Sequence, residues 1–185
     1  MGIFLKDMSL KGKTALVTGA TKGLGRGAAE AIAEAGGNII AIGRNQTELN
    51  SLGKKIKKLK VKYTSFNCDV NNYNKIKNFI TNLKKLDILV NNAGTNIPEN
   101  FLNVKKTSLE TLLNVNTKAV FNIAQLCANQ IIKLKRKQGS IINISSIFGL
   151  VAGQKRTVYS MTKFGVEGLT KGMALDLAKH NIRVN

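Results

Sequence analysis

Short apolar, β-branched runs alternate along the chain with longer stretches of helical periodicity. Thr14-Ala15-Leu16-Val17-Thr18 reads as a buried strand, and a glycine-rich turn leads from it into an alanine-rich helix from about Gly23 to Ala35. Gly36-Gly37 ends that helix, because a left-handed residue costs least at glycine. Asn38 to Ile42 is a second strand. Beyond it Leu49, Leu52, Ile56 and Leu59 share one helical face, and lysines at 54, 55, 57, 58 and 60 solvate the others. The pattern repeats with a strand over 61–66, a helix over 71–83 carrying Ile76, Phe79, Ile80 and Leu83, and a strand over 87–91. A long helix over about 108–135, a strand over 140–144 and a second long helix over about 158–179 follow, and Ile182-Arg183-Val184 starts another strand.

Continuous apolar strands separated by helices require a parallel sheet covered on both faces. The predicted fold is α/β: a Rossmann-type doubly wound parallel sheet in three layers, α/β/α. Its 185 residues suit a single domain over 1–185, with the only proline, Pro98, in a loop and no linker or low-complexity tract. The chain stops at Asn185, inside or just after a strand, which reads as a cut end.

Composition narrows the picture a little. No apolar run approaches the roughly 18 residues that span a bilayer. The apolar stretch in Met1–Lys6 is too short for a signal peptide, and Lys6 breaks the myristoylation pattern, so a cytoplasmic location is expected. Cys68 and Cys127 are far apart and have no ligand cluster beside them, which argues against a disulfide framework or a metal site. The formal charge of +19 invites a nucleic-acid reading. Against it, the 24 lysines are spread along the chain, Trp is absent and no aromatic residues interleave the basic ones. Lys, Asn and Ile are all abundant, as AT-rich coding sequence produces.

Candidate chemistry lies at three places. Thr18-Gly19-Ala20-Thr21-Lys22-Gly23-Leu24-Gly25 joins the first strand to its helix. Glycines there let backbone amides reach a diphosphate at a helix N-terminus, although glycines after a strand also serve simple turns. The motif lacks the Gly-Lys-Ser/Thr of a Walker A loop. Tyr159 and Lys163 stand four apart at the start of the second long helix, on one face. An ammonium there favours the phenolate of a tyrosine whose ordinary pKa is about 10, which suits it to general acid–base work. Alone the pattern is weak, since chance gives about 0.4 matches in this lysine-rich chain. Tyr73 and Lys77 match it as well. Ser146 breaks the tie: it lies thirteen residues before Tyr159, just past a strand's C-terminal end, where α/β sites gather.

With these residues in hand, the chain resembles the short-chain dehydrogenase/reductases from about Gly12 to Asn185. TGxxxGxG, Asn91-Asn92-Ala93-Gly94, Asn116 in Val115-Asn116-Thr117-Lys118, and Ser146 with Tyr159-x-x-x-Lys163 stand in that family's order and spacing. The resemblance implies reversible hydride transfer between a nicotinamide cofactor and a carbonyl/alcohol pair. Tyr159 would exchange the proton with the substrate oxygen and Ser146 would hydrogen-bond that oxygen. Lys163 would tune Tyr159 and hold the nicotinamide ribose, and Asn116 would position a water relaying protons to Lys163. Gly19, Thr21, Lys22, Gly23, Leu24 and Gly25 would bind the diphosphate, Asn92, Ala93 and Gly94 would shape the cleft, and Asp69 with Val70 would meet the adenine.

The second strand ends in Ile42-Gly43-Arg44-Asn45 with no acid to hold a ribose 2′-OH, while Arg44 and Lys22 suit a 2′-phosphate. NADP(H) is therefore favoured, with NAD as the alternative. The substrate is a carbonyl or secondary alcohol of the 3-oxoacyl thioester or sugar/polyol kind, since the chain resembles the β-ketoacyl-[acyl-carrier-protein] reductases and the sugar or polyol dehydrogenases. Acyl carrier protein is acidic, so Lys133, Lys135, Arg136 and Lys137, or Lys179 and His180, are candidate docking groups, although cations ending a helix also complement its dipole. Lys155 and Arg156 are candidates for an anionic substrate. Family members continue past this chain's end through a substrate-covering segment and a last strand. Their absence predicts cofactor binding with little turnover, and a homodimer through the two long helices rather than a tetramer. The alternative is a non-catalytic cofactor-binding remnant, or a basic nucleic-acid-binding or regulatory protein on the same fold.

Overall fold

The computed structural model describes residues 8–185; the N-terminal stretch weighed above as a signal peptide or lipidation site lies outside the described residues. Six parallel strands form one sheet in the order β3-β2-β1-β4-β5-β6. They are β1 Thr14–Thr18, β2 Asn38–Gly43, β3 Tyr63–Asn67, β4 Ile88–Asn91, β5 Gly139–Asn143 and β6 Ile182–Val184. The helices are α1 Gly23–Glu34, α2 Gln46–Lys57, α3 Tyr73–Thr81, α4 Lys106–Leu113, α5 Ala119–Lys133 and α6 Thr157–Leu177. The order reverses between β1 and β4, and a crevice opens there at the strands' C-terminal ends.

Two apolar cores form the layers. One face packs Ala15, Val17, Ile39 and Ala41 against α1 and α2 through Ala29, Ala33, Leu49, Leu52 and Ile56. The other packs Leu16, Ile40, Ile42, Leu89 and Ile141 against α3 and α5 through Ile76, Ile80, Ile123, Cys127 and Ile131. Strand residues alternate between the cores, so a run such as Ala15-Leu16-Val17 is apolar throughout. Leu59 departs from expectation. It falls past the end of α2 and is 39% exposed.

The first long helix is interrupted. Its Asn114–Lys118 segment is a π-helical turn between α4 and α5, which the apolar periodicity did not reveal. Such bulges cost regular hydrogen bonding and are frequent at functional sites. Helix ends follow local chemistry. Gly36 at φ +88° takes the left-handed position after α1, with Gly37 N–H donating to the Ile32 carbonyl at 2.9 Å. After α5 a lysine, Lys135, takes the same position at φ +51°, with Arg136 N–H donating to the Ile131 carbonyl.

The edge of the sheet remote from the crevice is locked by Asp87, which is 2% exposed. It accepts from Thr14 N–H at 2.8 Å and from Arg136 Nε and Nη2 at 2.7 and 2.6 Å. This tie commits Arg136. The remaining cations of its cluster, and Lys179 with His180, also lie where the chain enters β5 and β6, at the strands' N-terminal edge. The expected carrier-docking clusters therefore stand at the edge opposite the crevice.

Candidate active site

The crevice begins at the β1–α1 turn. Gly19 and Gly23 adopt φ +63° and +54°, a conformation that glycine takes at least cost. A Cβ on Gly25 would overlap Asn92 Nδ2 and the Gly19 carbonyl, so this glycine lets α1 close onto the turn. Gly23 differs: nothing lies within 4 Å of where its Cβ would stand. Lys22, the residue before α1, is exposed and provides no side-chain cap, and the first turn of α1 holds no acid. The helix start thus presents uncapped amides beside an open glycine, the arrangement a diphosphate fits. Thr21 packs its methyl over Gly43, and Leu24 is 75% exposed on the rim.

Asn92 welds this turn to β4. Its Nδ2 donates to the Thr18 and Gly19 carbonyls at 3.1 and 3.3 Å, and the N–H groups of Asn92 and Ala93 both donate to Thr18 Oγ1 at 3.0 Å. Behind it, Asn91 Nδ2 donates to the Val120 carbonyl at 2.8 Å. At the far side of the crevice Arg44 is exposed and pairs with Asp69 across 3.5 Å. Asp69 also accepts from Asn71 N–H at 2.8 Å, and Val70 packs against the core beneath it. A 2′-phosphate on Arg44 has Asp69 as its competitor.

The serine, tyrosine and lysine singled out in the sequence lie past the end of β5 and in the first turns of α6. Lys163 is 5% exposed, and its ammonium donates to the Ile144 carbonyl at 2.7 Å. Burial holds this amine below the usual lysine range, against the pull of Glu167 one turn on. Lys163 Nζ lies 5.8 Å from the Tyr159 ring centroid. Ser146 Oγ accepts from Phe148 N–H at 3.2 Å, and the Phe148 ring meets Tyr159 edge-on with centroids 6.3 Å apart. Phe148 thus touches both Ser146 and Tyr159, a role no sequence pattern marked. The point where a Cβ would sit on Gly94 is 3.5 Å from Asn116 Oδ1 and 3.8 Å from Lys163 Nζ, so glycine keeps the space between them clear.

Asn116 occupies the π-helical turn and is fully buried. Its Oδ1 accepts from Thr95 N–H at 2.8 Å, and its Nδ2 donates to the Thr95 carbonyl at 2.8 Å and to Thr162 Oγ1 at 3.2 Å. Both amide protons are spent on protein. Among the described residues, the buried hydroxyls of Thr117 and Ser160 have no hydrogen-bond partner, and no three acidic, cysteine or histidine side chains are grouped to hold a metal ion. No helix among them is long and apolar enough to cross a membrane.

A dinucleotide-type turn facing a serine, a tyrosine and a buried lysine across the switch point defines a nicotinamide-dependent oxidoreductase. A family model described as short chain dehydrogenase matches residues 13–185, and the chain belongs to that family. It is 35% identical over 182 residues to the 3-oxoacyl-[acyl-carrier-protein] reductase of Thermotoga maritima, covering 96% of this chain and 73% of that one. It is 36% identical over 179 residues to the L-xylulose reductase of Mus musculus, covering 97% and 71%. Among solved structures, an Agrobacterium tumefaciens protein with bound NADP, provisionally described as a 2-deoxy-D-gluconate 3-dehydrogenase, superposes with a TM-score of 0.90. It shares 31% identity, over 97% of this chain and 72% of that one.

Proposed function

We propose that this oxidoreductase reduces a ketone to a secondary alcohol with NADPH, and runs the reverse reaction with NADP, on a 3-oxoacyl thioester or a sugar or polyol. The observation that carries the reading is the buried Lys163 ammonium fixed on the Ile144 carbonyl, 5.8 Å from the Tyr159 ring. When bound, the nicotinamide supplies or accepts the hydride. Tyr159 donates its phenolic proton to the substrate oxygen, and Ser146 donates a hydrogen bond to the same oxygen and orients it. Lys163 keeps a positive charge beside the phenol as its proton leaves and holds the cofactor ribose. Asn116, with its amide spent on Thr95 and Thr162, positions backbone around Lys163; a relayed water is left to groups other than its amide protons. Gly19, Thr21, Lys22, Gly23, Leu24 and Gly25 hold the diphosphate, Arg44 and Lys22 take the 2′-phosphate, and Asp69, Val70, Asn92, Ala93 and Gly94 line the adenine and nicotinamide sides.

Lys155 and Arg156, which lead into α6 just before Tyr159, are the candidates to meet an anionic group on the substrate or its carrier. They replace the clusters at the opposite edge as the place where an acyl carrier protein would have to approach. A homodimer through α5 and α6 is supported by a groove of about 360 Å³ lined by Thr117, Lys118, Phe121, Asn122 and Leu169. Phe121, Met161 and Phe164 lie 46–49% exposed along those helices. The nucleic-acid alternative has no comparable support: a fold that had lost its chemistry would be expected to lose members of the set, and Asn116, Ser146, Tyr159 and Lys163 are all present.

The test titrates the chain with NADPH and NADH by fluorescence, then follows NADPH oxidation with acetoacetyl thioesters and L-xylulose. Expected are tighter binding of NADPH than NADH, and a slow turnover that Tyr159→Phe abolishes while leaving binding intact. Absence of binding by either cofactor sinks the proposal. Binding without turnover leaves the cofactor-binding remnant as the better account.

A further inference from the structure

Thr162 joins three parts of the site through one buried hydroxyl. It donates to the Tyr159 carbonyl at 2.7 Å and accepts from Asn116 Nδ2 at 3.2 Å. The first bond is the local back-bonding that threonine often makes inside a helix. The second is different, because it ties α6 to the π-helical turn between α4 and α5. Asn116 is in turn clamped on Thr95 by two bonds of 2.8 Å. The middle of the path Thr95–Asn116–Thr162–Tyr159 is buried, with Asn116 0% and Thr162 1% exposed, while its two ends are half-buried.

The next residue, Lys163, is pinned at its far end to Ile144. A second tie, Asn143 Nδ2 donating to Thr170 Oγ1 at 2.9 Å, lies about two turns further on, so these bonds leave the first turns of α6 room to roll about the helix axis. Side chains reach about 5–6 Å from that axis, so a roll of roughly 10° carries a group at this radius about 1 Å. Displacements of that size cost on the order of a hundredfold in rate.

We propose that Thr162 is a positioning residue whose bond to Asn116 fixes the roll of α6 and thereby seats the Tyr159–Lys163 pair against the Ser146 loop. The inference rests on the reading of Tyr159 and Lys163 as the reacting pair. It assigns the π-helical turn a purpose: the bulge turns Asn116 inward at the height of Thr162, and the amide serves as a strut.

The test needs no substrate. Thr162→Ala and Thr162→Val remove the hydroxyl, and Thr162→Ser keeps it. The readout is the pH titration of the Lys163 ε-methylene by 13C NMR, assigned by its loss in Lys163→Arg. Lys163 sits below the ordinary lysine range because of burial. Its titratable neighbours on α6 are Tyr159 and Glu167, while the Ile144 carbonyl, Gly94 and Asn116, which face it from the other elements, are neutral. In the Ala and Val variants the Lys163 midpoint is expected to rise by about half a pH unit or more toward the surface lysines, as the ammonium leaves its burial. The Ser variant is expected to titrate with the wild type. NADPH should still bind throughout, weakened in the Ala and Val variants only through the Lys163–ribose contact, because the phosphate turn is untouched. A Lys163 midpoint unmoved in Thr162→Ala overturns the role of Thr162 alone. If Ala and Val both fail to fold while Ser folds, the hydroxyl is structural and the proposal falls. A wild-type Lys163 titrating among the surface lysines overturns the buried pair, and the proposed function with it.

Discussion

Gly23 and Gly25 stand two residues apart in one motif, yet the structure gives their replacement opposite outcomes. In Gly25→Ala the new methyl collides with Asn92 Nδ2 and the Gly19 carbonyl. Overpacking of this kind costs about 1–3 kcal/mol. Displacing Asn92 also loosens its bonds to the Thr18 and Gly19 carbonyls, at about 1 kcal/mol each. The sum is a loss of about 3–5 kcal/mol, or roughly 6–20 °C in Tm for a chain of this size. In Gly23→Ala the methyl meets nothing within 4 Å, and the only penalty is the left-handed φ of +54°. That costs about 1 kcal/mol, a fall of roughly 2–4 °C. The open side of Gly23 is nevertheless where a diphosphate would come against the backbone, so NADPH affinity is expected to drop at least tenfold. Thermal unfolding and NADPH fluorescence titration on both variants give the comparison. A Gly23→Ala protein that binds NADPH like the wild type refutes the placement of the diphosphate. A Gly25→Ala protein as stable as the wild type refutes the packing of α1 against Asn92.

Three further outcomes follow from the same contacts. Arg136→Met strips the buried Asp87 carboxylate of its guanidinium and is expected to cost about 3 kcal/mol, with NADPH affinity unchanged because the pair sits at the far edge; adding Asp87→Asn should restore part of the loss, as a double-mutant cycle in urea would show. Lys135→Gly relieves a left-handed lysine after α5 and should raise Tm by about 2–4 °C; a fall in Tm would mean that the lysine side chain contributes more than its strain. Lys55, then Arg26, hold the Glu30 carboxyl below its usual range despite burial, so this contribution is present above the unfolded glutamate value of about 4.3 and is lost as pH falls through the lower folded value. The stability gap between wild type and Glu30→Gln should therefore close on acidification, and a gap independent of pH would discount the cluster of Arg26, Glu30, Glu48 and Lys55.

Much of the fold was legible because strands buried on both faces announce themselves as unbroken apolar runs. Every expected strand and helix is present, displaced by a residue or two at its ends. The π-helical turn was not legible. Val115, Asn116 and Thr117 have no composition that marks a bulge, and the break comes from tertiary bonds to Thr95 and Thr162 whose partners lie far away in sequence. The position of charges was equally hidden. Arg136 looked like a free surface cation until folding placed the Asp87 carboxylate against it.

Tyr73 and Tyr159 show most clearly where pattern ends and structure begins. Spacing alone brings the lysine four residues on toward each ring, with Lys77 at 6.0 Å from one centroid and Lys163 at 5.8 Å from the other. By that measure the two motifs are the same object. They differ in what surrounds the ammonium. Lys77 lies exposed on α3 beside a tyrosine that is 41% exposed, where solvent screens its charge. Lys163 is 5% exposed and fixed on a carbonyl at the end of β5. Effective dielectric falls on burial, so a charge held there acts on its neighbour far more strongly than the same charge in water. The serine thirteen residues upstream marks the end of a central strand, and beside such a strand end a lysine on the next helix can be buried, as Lys163 is and Lys77 is not. What four-residue spacing supplies is proximity; the sheet supplies the burial that sets Lys163 apart from Lys77.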